Sequence, residues 1–137
     1  MKTLRNLLWC LIVATIVILA QTAWAAQPSD FAGAWTCNWQ GRVDVGITVA
    51  VGEKIDVTYT WPYSAHWPIR YAGEAKTEGK VVGEKLVFSF TYTSARVSEA
   101  QTTPVTVTLW FDQHGKMLGK HEGRFPFGLT MGKCKKK

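Results

Sequence analysis

Residues 61–71 gather aromatic and polar side chains into one short stretch: Trp61, Tyr63, His66, Trp67, Arg70 and Tyr71. Aromatic rings offer broad, flat contact area, on which sugars and apolar ligands stack. His66 can donate to a ligand or cap a backbone carbonyl. Arg70 can pair with an anionic group or lie on the surface. Pro62 and Pro68 lie within the same segment and restrict its backbone. These six residues are the expected ligand-binding set. The competing expectation is that Trp61 and Trp67 cover one end of a small core.

Nothing of similar weight points to catalysis. His114 stands in the turn-forming run Asp112-Gln113-His114-Gly115 and reads as a solvated turn residue. His121 and Glu122 are adjacent, so on a strand their side chains face opposite ways and cannot act as a local pair. No His or Cys spacing suits zinc. No nucleophile elbow or phosphate loop occurs. No carboxylate falls in an apolar run where desolvation would raise its pKa for acid–base work. The expectation is a non-enzymatic protein with no cofactor and no metal.

The elements that must carry these residues are strands. Ile47, Val49 and Val51 alternate with Thr48 and Ala50, and Ile55, Val57, Tyr59 and Trp61 alternate with Asp56, Thr58 and Thr60. The same period of two runs through Leu86, Phe88, Phe90 and Tyr92, and again through Val105, Val107, Leu109 and Phe111. Turn signals at Gly52-Glu53, Gly83-Glu84 and Asp112 to Gly115, and a weaker one at Gly79, separate these runs by a few residues. Short connections join antiparallel neighbours. The expected fold is therefore all-β, an antiparallel meander of about eight strands closed into an up-and-down barrel. Two longer connections, Pro62 to Pro68 and Ser94 to Thr103, are expected at the open mouth. Arg124-Phe125-Pro126-Phe127 interrupts the strand pattern late in the chain.

The N-terminus indicates the compartment. Lys2 and Arg5 precede the apolar run from Leu7 to Ala20, and Ala23-Trp24-Ala25 supplies the small-x-small pattern that a signal peptidase accepts. A run of about 14 residues is short of the roughly 20 that a membrane-spanning helix takes. The expected organisation is a signal peptide over residues 1–25, a barrel domain over 26–132 and a basic tail over 133–137, in a periplasmic or secreted protein. Without residues 1–25 the net charge of +6 falls to +4, because Lys2 and Arg5 leave and no acid does. Much of that excess lies in Lys133, Lys135, Lys136 and Lys137, read as a frayed end with at most peripheral membrane contact. Nucleic acid is not expected as a partner.

Cys10 lies within the leader, and Leu7-Leu8-Trp9 before it lacks the small residues of a lipoprotein signal. That leaves Cys37 and Cys134, which in an oxidising compartment read as one disulfide. In a closed up-and-down barrel the first and last strands are neighbours, which lets these two cysteines meet.

Phe31-Ala32-Gly33-Ala34-Trp35 opens the first strand with a Gly-x-Trp signature. This resembles the start of the calycins, the lipocalin and avidin-type barrels. The resemblance implies that Trp35 plugs the closed end of the barrel. It also implies that a basic residue from the last strands packs over the ring, with Arg124 and Lys133 as candidates. Asn38 and Thr58-Tyr59-Thr60 are loosely similar to avidins, whereas Gly119-Lys120-His121-Glu122-Gly123 stands where later avidin tryptophans would be. Biotin is not expected as a ligand.

The resulting expectation is an exported barrel that binds a small apolar or amphipathic ligand at the Trp61–Tyr71 segment. The alternatives are a protein–protein module, such as an inhibitor of an extracellular hydrolase, and an envelope accessory domain with a filled core. Packing of Phe88, Phe90, Leu109 and Trp61 inside the barrel would favour the last.

Overall fold

A computed structural model describes residues 25–41, 43–63, 72–92, 104–123 and 130–137. After a short 3-10 helix, Pro28–Phe31, come β1 (Gly33–Trp39), β2 (Val43–Val51), β3 (Ile55–Trp61) and β4 (Gly73–Val82). They are followed by β5 (Lys85–Thr91), β6 (Pro104–Phe111), β7 (Met117–Glu122) and β8 (Thr130–Lys136). Each strand pairs antiparallel with the next, and β8 returns to β1, so the sheet closes in chain order. The expected meander is the fold.

Alternation decides which residues go inside. Val43, Val45, Ile47 and Val49 of β2 are buried, as are Val57, Tyr59 and Trp61 of β3. Leu86, Phe88 and Phe90 of β5 and Val105, Val107 and Leu109 of β6 complete the apolar lining. At the β6–β7 turn the Asp112 carboxylate accepts the backbone N–H groups of His114 and Lys116, at 2.8 and 2.9 Å. Those two bonds hold the Asp112 carboxyl below its ordinary range.

Closure is both hydrogen-bonded and covalent. Cys37 of β1 lies directly opposite Cys134 of β8, and the two form a disulfide across 97 residues of sequence. A disulfide fits an oxidising environment outside the cytoplasm. The basic segment 133–137 is not the expected tail. Lys133 to Lys136 belong to β8, and the Lys137 N–H donates to the Ala34 carbonyl at 2.9 Å.

One end of the barrel is plugged. Phe31 of the 3-10 helix packs on Phe111 with ring centroids 5.1 Å apart, and Trp35 meets Phe111 edge-on at 6.1 Å. The Trp35 indole N–H donates to the Phe31 carbonyl at 2.8 Å. The Lys136 ammonium lies 5.4 Å from the Trp35 ring centre. This corrects the expectation for the basic residue. Lys136 is the register partner of Trp35, whereas Lys133 has the opposite parity and faces outward on β8. Arg124, the other candidate, lies outside the described residues.

One further expectation changes. Gly79 is no turn: it sits inside β4 and is buried, where a Cβ would meet Leu86 and Val57 at 2.9 and 3.1 Å.

Large rings inside so small a barrel need bare backbone opposite them. A Cβ on Gly132 would strike the Trp39 ring and come within 2.7 Å of the Asn38 carbonyl oxygen. On Gly119 it would meet Trp39 and Leu109, both at 2.9 Å. Gly73 does the same service for the Trp61 ring. Gly132→Ala should therefore destabilise the protein by about 1–3 kcal/mol through overpacking. Urea unfolding measures this, and an unchanged midpoint would mean that the Trp39 ring is not confined. Replacing Cys37 and Cys134 together by serine should cost about 4–5 kcal/mol by loop entropy. A melting temperature indifferent to this change would contradict the covalent contribution to closure.

Candidate functional site

Apart from the short β1–β2 connection, which lies at the same end as the long ones, the connections sort by length between the two ends. Short turns join β2 to β3, β4 to β5 and β6 to β7 at the plugged end. At the other end the chain leaves at Trp61 and returns at Gly73, leaves at Thr91 and returns at Pro104, and leaves at Glu122 and returns at Thr130. All three long connections thus start and finish around one rim. A rigid barrel that carries its long connections on one rim is the usual arrangement for a binding site.

The inward side chains near that rim form a buried polar chain. The Trp39 indole N–H donates to the Tyr59 hydroxyl at 2.9 Å. The Tyr59 and Tyr92 hydroxyl oxygens are 3.4 Å apart, and either can supply the proton between them. The Tyr92 hydroxyl then lies 2.9 Å from His121 Nε2, with the donor set by the imidazole tautomer. His121 is 1% exposed and also meets the Trp39 ring edge-on, at a centroid distance of 5.7 Å. Burial raises the Tyr59 phenol well above its ordinary range, although the hydrogen bonds from Tyr92 and Trp39 partly oppose this. Burial also raises the Tyr92 phenol, and the neighbouring Tyr59 adds to the shift.

Aromatic rings pack around this chain. Trp61 meets Tyr92 edge-on at 4.9 Å and lies parallel to Phe90 at 6.4 Å. Tyr59 packs on Phe90 at 4.4 Å, and Phe88 continues the stack below. Phe88, Phe90, Leu109 and Trp61 are all buried, so the barrel interior beneath the rim is filled with side chains.

Among the described residues three indoles are buried, and their partners differ. Trp35 donates to Phe31 and Trp39 donates to Tyr59, but Trp61 Nε1 has no acceptor among the described residues. The hydroxyl of Thr130, opposite His121 on the neighbouring strand, is also buried without a partner among them. Trp61 closes β3 and Thr130 opens β8, so both unpartnered groups lie at the long-connection rim.

The sequence-expected ligand set divides accordingly. Trp61 is 3% exposed, inside the barrel, whereas Tyr63 is 64% exposed just beyond the end of β3. The two are therefore not one continuous surface patch. His66, Trp67, Arg70 and Tyr71 lie outside the described residues, as does Arg124-Phe125-Pro126-Phe127. His114 is exposed in its turn, and His121 and Glu122 face opposite ways as expected. Sequence reasoning missed Trp39, Tyr59, Tyr92 and Thr130 as site residues and set His121 aside. The available signal was parity: Tyr59 and Tyr92 continue the inward series of Val57 and of Phe90, and His121 that of Met117.

No family model, curated protein or solved structure matches this chain. Its closed eight-stranded antiparallel barrel is compatible with a calycin-like fold.

The two raised phenols give a pH signature. Their folded-state pKa values exceed the unfolded value of about 10, so the stability they contribute is complete below that pH and is lost as pH rises beyond it. At about pH 11 the phenols of Tyr59 and Tyr92 should be missing from the tyrosinate absorbance of the folded protein. The missing absorbance should appear only with cooperative unfolding, and Tyr92→Phe should halve it. Full ionisation while the near-ultraviolet circular dichroism stays native would contradict the burial of this pair.

Proposed function

We propose that this protein is an exported, non-enzymatic barrel of calycin type, periplasmic or secreted, that binds a small apolar or amphipathic ligand at its long-connection rim. The observation that carries this reading is the buried Trp61 indole N–H, which has no acceptor among the described residues. An unmet buried donor costs about 1–3 kcal/mol, and a carbonyl or ether oxygen on a ligand would satisfy it. The Thr130 hydroxyl offers a second polar contact, and the rings of Trp61, Tyr92 and Phe90 supply apolar area beside it. Side chains fill the barrel below, the packing expected of an envelope accessory domain with a filled core, so the ligand in this reading is small and sits at the rim. Enclosure in a deep central cavity forms no part of the proposal.

A second reading, a protein–protein module such as a hydrolase inhibitor, draws support from Tyr63. An exposed aromatic ring beside the rim suits the centre of a protein interface. Capture of a specific envelope protein that Tyr63→Ala abolishes would favour that reading.

The ligand reading is tested with Nile red, an uncharged fluorophore with one carbonyl acceptor. Saturable, one-to-one emission enhancement is expected. Trp61→Phe should keep the fold and weaken binding by about two- to tenfold, the value of one hydrogen bond. Absence of saturable binding by Nile red, and of any tryptophan fluorescence change with a lipid extract, would falsify the proposal.

A further inference from the structure

The outer wall of the barrel has a chemistry that residue order conceals. Strand parity sends Lys133 and Lys135 of β8 outward, with Met131 on the same face at 50% exposure. Register then builds a row across the sheet. Lys133 lies between Leu118 of β7 and Asn38 of β1, and Leu118 lies opposite Trp110 of β6. The Lys85 ammonium sits 5.4 Å from the Trp110 ring centre. In the next row Met131 lies opposite Lys120.

A groove of about 780 Å³ follows the seam, with Leu118, Met131 and Gly132 as apolar lining and Lys133 and Lys135 as charged lining. Asp44 also lines it, and its carboxylate is bound by the Asn38 amide at 2.7 Å. Among the described residues, Lys85, Lys133 and Lys135 have no carboxylate within ion-pair distance. The one outward acid of β5 to β8 among them, Glu122, is engaged by Lys120 at 3.2 Å. The opposite wall is mixed in sign: Lys54 pairs with Glu78 and Lys76 with Glu74, beside Asp56 and Lys80.

We propose that the β6–β8–β1 wall is a membrane-facing surface that docks on a bilayer rich in anionic phospholipid. Lysines on one face, with a tryptophan and two flexible apolar side chains between them, match a phosphate plane above an acyl boundary. The ammonium groups neutralise headgroups, while Trp110, Leu118 and Met131 enter the interfacial layer. This inference is independent of the rim ligand, because it uses outward residues only.

The test is co-sedimentation of disulfide-bonded protein comprising residues 26–137, which holds every described core residue, with sized vesicles. Vesicles of phosphatidylglycerol and phosphatidylcholine should bind it, and pure phosphatidylcholine should bind about tenfold less or weaker still. Binding should fall as salt rises from 0.05 to 0.5 M, roughly the range over which screening shortens to a few ångströms. Lys133→Glu with Lys135→Glu should reduce partitioning by about tenfold, and Met131→Asp should reduce it several-fold. Lys76→Glu with Lys80→Glu makes the same change of net charge on the opposite wall and should have little effect. Equal losses from the two double variants would overturn the proposal, since net charge alone would then explain binding. Binding to heparin without binding to vesicles would overturn it too, by assigning the face to a soluble polyanion. Retained disulfide and near-ultraviolet circular dichroism separate these outcomes from misfolding.

Discussion

The pairing of β1 with β8 is the constraint on which the remaining structure depends. An open eight-stranded meander would leave two rows of unpaired backbone groups, and closing it satisfies both at once. Closure also fixes register, and register fixes which side chains meet. In a single ladder it sets Cys37 against Cys134, Trp35 against Lys136 and Trp39 against Gly132. A slip of β1 by one residue would turn Cys37 outward, away from Cys134, and expose Trp35 and Trp39. The disulfide therefore does more than restrict the unfolded chain. It joins the two strands at the middle of the register that the rest of the interior requires.

Closure also limits volume, because eight strands enclose a space that side chains alone can fill. Bulk is distributed to suit. The rings lie on β1, β3 and β5, whereas β4, β7 and β8 present glycines toward them. Trp39 occupies space made by Gly119 and Gly132, and Trp61 occupies space made by Gly73. The barrel is consequently packed through its middle, and any chemistry it offers is displaced to its ends and its outer wall. That displacement separates the three surfaces: a plug at Trp35, a polar aromatic rim at Trp61 and a basic wall along β8.

The sequence was legible where alternation involves large apolar residues. It revealed β3, β5 and β6 almost residue by residue and the second half of β2, and with the cysteines it implied closure. The strands it concealed are those whose inward residues are small. In β4 these are Gly73, Ala75, Thr77 and Gly79, so no hydrophobic pattern exists there and Gly79 resembles a turn. In β8 the inward series Thr130, Gly132, Cys134 is equally silent, and the lysines between them read as a tail. The candidate site was half visible for a related reason. Trp61 stands out among nearby aromatic residues, but its true neighbours Tyr92 and Phe90 come from a strand some thirty residues away. His121 was judged by its neighbour Glu122, although its inward series with Met117 and Gly119 was the better guide.

Comparison of the three interior indoles shows how the two ends differ physically. Each ring adds a large apolar area to the core, and each brings one N–H that water can no longer reach. At the plugged end the chain supplies its own acceptor, since the 3-10 helix carries the Phe31 carbonyl over Trp35. Just inside the rim a phenol serves Trp39, and Tyr59 in turn hands the requirement on to Tyr92 and His121. At the rim the pattern stops: Trp61 and Thr130 keep buried polar atoms that the described residues leave unmatched. A phenylalanine at position 61 would fill similar space over Gly73 without the cost of an unmet donor. An indole there is understandable if its N–H is matched by something bound at the rim. Trp35 and Trp39 need no such partner, so the proposed rim ligand would meet the one indole N–H among the described residues that the protein leaves unmatched.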